Sequence, residues 1–166
     1  MDYQKELVAE FDREVATTRK MLDAIPADVD FSYKPHEKSM SLGRLAGHLA
    51  ETAGEWAYST LAKDKIEMNM AEFKPWVPAS KAEILEKFDK QTAEARAVLA
   101  GFTPEQWDEH WKFIGGGQTW IDDPKHQVWR TWVMNHQIHH RAQLGVYLRL
   151  LGKPVPGTYG PSADGV

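Results

Sequence analysis

An all-α fold, a four-helix bundle with at least one long crossover connection, is the class that this 166-residue sequence predicts. Three observations lead to it. Apolar residues recur at three- and four-residue steps over four long stretches, strand-like alternation is almost absent, and the stretches are joined by connections of about 15–20 residues. Such connections are longer than simple up-down hairpins need.

The first stretch, residues 4–25, places Leu7, Val8, Phe11, Val15, Leu22 and Ile25 on one stripe with charges between them. Pro26 ends it, because proline cannot continue an interior hydrogen-bond ladder. After the polar, extended "ADVDFSYKPHEKSM", a second helix starts near Ser41, a suitable N-cap, and runs through Leu42, Leu45, Leu49 and Trp56 to about Leu61. Residues 63–79 contain Pro75 and Pro78 and read as a connecting loop. The third helix opens on the capping box Ser80–Glu83 and carries Ile84, Phe88, Ala95, Leu99 and Phe102. A second box, Thr103-Pro104-Glu105-Gln106, opens a short turn through Trp107. "FIGGGQTW" reads as irregular or short extended chain. The fourth helix opens at Asp123-Pro124 and ends at Gly152-Lys153-Pro154. The Pro/Gly-rich tail, residues 153–166, cannot be helical, and the whole of 1–166 is expected to form one domain.

Composition narrows the function classes. The net charge is −4, and no run of Lys or Arg exceeds two residues, so the electrostatic footprint of a nucleic-acid binder is missing. No apolar run approaches the roughly 20 residues a membrane span needs, and the charged opening "MDYQKELVAEFDREV" does not read as a secretory signal. A cytoplasmic protein is expected. With no Cys, disulfides, thiolate metal sites and a cysteine nucleophile are all excluded. "GGGQ" at 115–118 lacks the Lys-Ser/Thr of a phosphate loop. The seven tryptophans have packing as their simplest role, with Trp132 placed to line a pocket.

The chemistry concentrates in "NHQIHHRAQ". A helix advances about 100° per residue, so the four-step row Val128, Trp132, His136, His140, Leu144 lies on one face. His136 and His140 thus replace two apolar positions on the inward stripe, while His139 turns about 60° aside. Two imidazoles four residues apart can converge on one ion, as in H-E-x-x-H helices, but Gln137 stands where those carry a catalytic Glu. A third ligand must come from another helix, and His48, on a face with Leu45, Leu49 and Thr52, is the candidate. The small neighbours Ala46 and Gly47 permit a close helix approach. Glu51 and Glu55 lie further along a neighbouring face, each able to act as ligand, orienting partner or base. The competing reading is of hydrogen-bonded core histidines, but two facing buried imidazoles without a cation are costly. Arg141 and Gln143 border the ligands, as orienting groups or as partners in surface pairs. Tyr159 and Asp164 either fold across the open side of a metal or, more economically, dock the tail.

The phrases "SLGRLAGHLAE", "NHQIHHRAQLGVYLRLLG" and "VPGTYGPSAD" resemble, in this order and over nearly the whole chain, the DinB/YfiT-like proteins, which are unrelated to the DNA polymerase sharing that label. The resemblance implies a four-helix bundle carrying a divalent metal on three histidines, which here are His48, His136 and His140. It implies that His139 precedes the last ligand without binding. Relatives often read "HRGQ" where this chain has Ala142, away from any ligand. Zinc and nickel both suit imidazole. Two chemistries are implied: a transferase or isomerase that uses a low-molecular-weight thiol (bacillithiol, mycothiol or glutathione), and a hydrolase with Glu51 as base. A non-catalytic metal-binding or stress-response protein is the rival. A small-molecule substrate is expected in the catalytic readings, and a homodimer is compatible with the long apolar stripes.

Overall fold

The computed structural model describes residues 3–165. Four long helical segments form, two of them opening where the sequence supplies side-chain caps. Helix α1 spans Tyr3–Asp23. Ser41 caps α2 (Leu42–Glu51), its Oγ accepting from the Arg44 N–H at 3.1 Å. A π-helical turn, Thr52–Trp56, joins α2 to α3 (Ala57–Ala62). Ser80 caps α4 (Lys81–Ala100), and the Thr103–Gln106 capping box opens the short α5 (Pro104–Trp107). The last segment comprises α6 (Lys125–Val128), a second π-helical stretch Trp129–Asn135, and α7 (His136–Leu150). It ends where Gly152 takes a φ of +67° and the Lys153 N–H returns to the Leu148 carbonyl at 2.9 Å. Each of α1 and α2 packs against both α4 and α7. No described helix is long and apolar enough to cross a membrane.

The purely all-α expectation needs correction. Residues read as loop supply β1 (Lys65–Met68), and the "FIGGGQTW" region forms a hairpin of β2 (His110–Gly115) and β3 (Gln118–Pro124). The order is β1-β2-β3, with β1 parallel and β3 antiparallel to β2. Gly116 and Gly117, at φ +58° and +78°, make the tight turn, a conformation that residues with a Cβ adopt reluctantly. Trp111 and Phe113 alternate inward along β2 and, with Ile121 and Val128, form a small core beneath the sheet. The fourth helical segment accordingly starts at Lys125, since Asp123 and Pro124 still belong to β3.

Two glycines permit close approaches, only one of them between helices. A Cβ on Gly47 would meet Pro78 and Trp76 at 2.9 and 3.2 Å, so the crossing chain, rather than a neighbouring helix, approaches there. Gly54, in the first π-helical turn, lets α4 come close, since a Cβ would meet that of Gln91 at 2.6 Å.

The tail docks on α1 and α7. Arg141, 2% exposed, reaches Glu14 Oε2 at 2.7 Å and donates to Thr18 Oγ1 at 3.1 Å and to the Tyr159 hydroxyl. Tyr159 in turn donates to Glu14 at 2.9 Å, and Asp164 takes a two-pronged bond from Arg149. The surface pairing expected of Arg141 is thus a buried network, because the returning tail covers it.

Candidate metal centre

Helix α2 contributes His48, and the first two turns of α7 contribute His136 and His140. The three ring centroids lie 4.5–5.0 Å apart, at 5.0 Å for His48–His136, 4.5 Å for His48–His140 and 4.7 Å for His136–His140. One ligating atom from each lies within 4.8 Å of the others, and among the described residues this is the group that could hold a metal ion. His139 is exposed and meets only the edge of the cluster, 4.8 Å from the His140 ring.

Each ring has a partner outside the triad. His140 Nδ1 lies 2.8 Å from the Gln143 side-chain oxygen, and His136 bonds to the backbone of Trp132, one turn earlier. His48 Nδ1 lies 3.5 Å from Glu51 Oε2 and 3.1 Å from an Arg44 guanidinium nitrogen. If His48 Nε2 takes a metal, Nδ1 carries the proton, and Glu51 is then its acceptor. Arg44, itself only a donor, grips Glu51 Oε2 at 2.8 Å and the Trp76 carbonyl at 3.1 Å. Oxygen acceptors behind metal-facing imidazoles are what such sites require, because they fix the tautomer and the ring orientation. The donor set therefore fits a divalent ion that favours nitrogen.

The electrostatics agree. Burial, reinforced by the neighbouring His48, pushes His136 down to about 4. Burial likewise pushes His140 down to about 4, outweighing the opposing contact with Gln143. Both rings are neutral at pH 7 and offer lone pairs. Burial pushes the Glu51 carboxyl up, yet hydrogen bonds with His48 and Arg44 outweigh it and hold the group below its ordinary range. Glu55 is exposed, 3.5 Å from Lys87.

A pH dependence follows. The unfolded chain protonates its histidines near their ordinary value of about 6.5, well before the folded protein protonates these two. The stability they contribute is present above that value and is lost as pH falls towards 4. In the metal-free protein the urea midpoint should drop across this window, and it should drop less in His136→Gln. Identical pH profiles for the two proteins would contradict the assignment.

A cleft of about 330 Å³ opens on the triad, reaching His48 and His136. Its wall is aromatic: Trp56 and Trp132, one from each π-helical stretch, stack at 5.0 Å and 7°, and both meet His136 edge-on. Phe113 leans on both. Wider i→i+5 turns are often found at functional sites, and here both π-helical stretches bring a tryptophan to the cleft.

The DinB family's sequence profile matches residues 1–165. The chain belongs to the DinB family. The DinB-family chain is also 28% identical over 152 residues to the uncharacterized protein YrdA of Bacillus subtilis strain 168, covering 91% of this chain and 84% of that one. Among solved structures, a DinB-like protein from Bacillus cereus ATCC 10987 superposes with a TM-score of 0.68 at 28% identity, over 89% of this chain and 92% of its own. A second DinB-like protein, YjoA of Bacillus subtilis, shares the fold with a TM-score of 0.67 at 22% identity, over 92% and 97% of the two chains.

In this DinB-family protein, Trp132, Glu51 and Glu55 line the cleft beside His48 and His136, whereas His139 and Gln143 line a separate hollow on the His140 side. Arg44, Trp56 and Phe113 were not singled out as site residues from the sequence. Arg44 had a usable signal, since it lies four residues before His48 on the same helical face. Phe113 had only the two-residue alternation of "WKF".

Proposed function

We propose that this DinB-family protein is a metal-dependent enzyme in which His48, His136 and His140 hold a divalent ion, zinc or nickel, with coordination positions left open towards the aromatic cleft. The observation that carries the reading is the nitrogen-only donor set beside a cleft, in place of a closed set of four ligands. Bound there, such an ion acts as a Lewis acid that lowers the pKa of a coordinated thiol or water. His48, His136 and His140 offer unprotonated nitrogens. Glu51, Trp132 and Gln143 keep them aimed, and the Trp56–Trp132 wall limits water on one side.

Between the two chemistries, transfer to or from a low-molecular-weight thiol is favoured over hydrolysis. A hydrolase needs a free base, and Glu51 is held by Arg44 and His48 with its pKa lowered, an arrangement suited to orienting His48. A small-molecule thiol also supplies the S–H group that a chain without Cys lacks.

Cobalt-substituted protein provides the test. One ion per chain should be retained, and adding glutathione or bacillithiol should produce a thiolate-to-cobalt charge-transfer band. Conjugation of chlorodinitrobenzene should then need both metal and thiol. Bound cobalt with a spectrum indifferent to thiol would remove the transferase reading, and protein that retains no metal would remove the centre.

A further inference from the structure

We infer that the cleft selects substrates carrying a flat, uncharged aromatic group next to the atom that meets the metal. This rests on the open-centre reading above and adds a substrate class to it.

The walls argue for a planar partner. The Trp56–Trp132 pair presents parallel indoles, and Phe113 packs against them with its ring tilted by 46° to each. Along the rim, large apolar side chains are left in water: Trp120 is 51% exposed, Phe73 43% and Met70 41%. All three line this same cleft. Trp120 is held there by the β2–β3 hairpin, edge-on to Phe113 at 5.3 Å and close over Gly115. Isolated exposed apolar residues need no explanation, but three converging on one cleft beside a metal-ligand cluster form a surface that a ligand would desolvate.

The charges argue for an uncharged group. Among the described residues, Arg44 is the one cationic side chain of fixed charge lining the cleft, and it is engaged by Glu51 and the Trp76 carbonyl. The remaining ionic residues of the wall, Glu51 and Glu55, are acidic. A carboxylate or phosphate on the distal part of a substrate would find Arg44 already paired with Glu51, and Lys87 already beside Glu55. Aromatic faces and edges, by contrast, pair with another ring in stacked or edge-on geometry. At about 330 Å³ the cleft has room for a small ring beside the metal-facing atom.

Two hydroxamates with the same metal-binding head separate the parts of this inference. Calorimetric titration of the zinc-loaded full chain should show acetohydroxamate binding. Benzohydroxamate should bind about tenfold more tightly or better, since its ring enters the cleft. Trp120→Ala and Phe73→Ala, both at the exposed rim, should each weaken benzohydroxamate by several-fold and leave acetohydroxamate unchanged. Equal affinity for the two probes would overturn the aromatic preference while leaving the open centre intact. A preference for the ring that survives both substitutions would also overturn it, by placing the ring elsewhere. Zinc-loaded protein that binds neither probe would overturn the open centre, and this inference with it.

Discussion

Alanine at His136 or His48 is expected to abolish metal retention, whereas alanine at His139 leaves it nearly unchanged. His136 and His48 face one another at 5.0 Å inside the cluster, and His139 is exposed beside it. Losing one of three nitrogen donors leaves two, which form a weak site. Between these extremes lies Gln143→Ala, which keeps every ligand but frees the His140 ring from its 2.8 Å partner. A loss of about 10–100-fold in affinity is expected there, as for other groups that orient a ligand. Competition against a chromophoric chelator measures all four variants on one scale. Equal losses at His136 and His139 would show that the cluster does not act as the geometry indicates.

Removing Arg141 should produce the largest loss of stability. The guanidinium is almost completely buried, and the Glu14 side chain that it pairs with is only 12% exposed. Arg141→Ala leaves that carboxylate with the Tyr159 hydroxyl as its remaining described side-chain donor and opens a void against Thr18. Breaking a buried pair from one side costs about 3–5 kcal/mol. Against a total stability of about 5–15 kcal/mol for a domain, that is a large fraction. Urea unfolding of the metal-free protein reads it directly. Arg149→Ala, which breaks an exposed pair with Asp164, should have a much smaller effect. A loss of under about 1 kcal/mol in Arg141→Ala would mean that the network is not a stabilising one.

His140 and Arg141 share one helix but, about 100° apart, face different neighbours. His140 turns towards the ligand cluster, and Arg141 turns towards α1 and the tail. The network therefore anchors the helix that carries two of the three histidines. Its loss should be checked for metal affinity as well as stability.

Much of the helical framework was legible because its causes are local. The apolar stripe of residues 4–25, the Ser41, Ser80 and Thr103 caps and the glycine at 152 act within a few residues of themselves. The histidine set was legible for a related reason. Helical periodicity places His136 and His140 on one inward face, and His48 interrupts another apolar face. The sheet was harder to read. Strand β1 has four residues, "KIEM", and its partner Lys112–Gly115 lies more than forty positions later, so no short window contains both halves of the pairing. Lys125 shows the same limit: no local signal marks it, yet it is buried, donating to Glu109 at 2.9 Å.

By itself, the sequence determined most helix starts and stops and pointed to the three histidines that cluster, because hydrogen-bond closure, capping and period act over a turn or two. Tertiary structure alone decided the π-helical stretches at Thr52–Trp56 and Trp129–Asn135, the Trp56–Trp132 stack and the burial of Arg141 under the tail. The choice between i→i+4 and i→i+5 bonding is a small energy difference, and distant packing can tip it. Whether a guanidinium is paired or solvated depends likewise on what the chain brings over it. The ligands were thus set by local pattern, and the shape of the cleft they face by long-range contact.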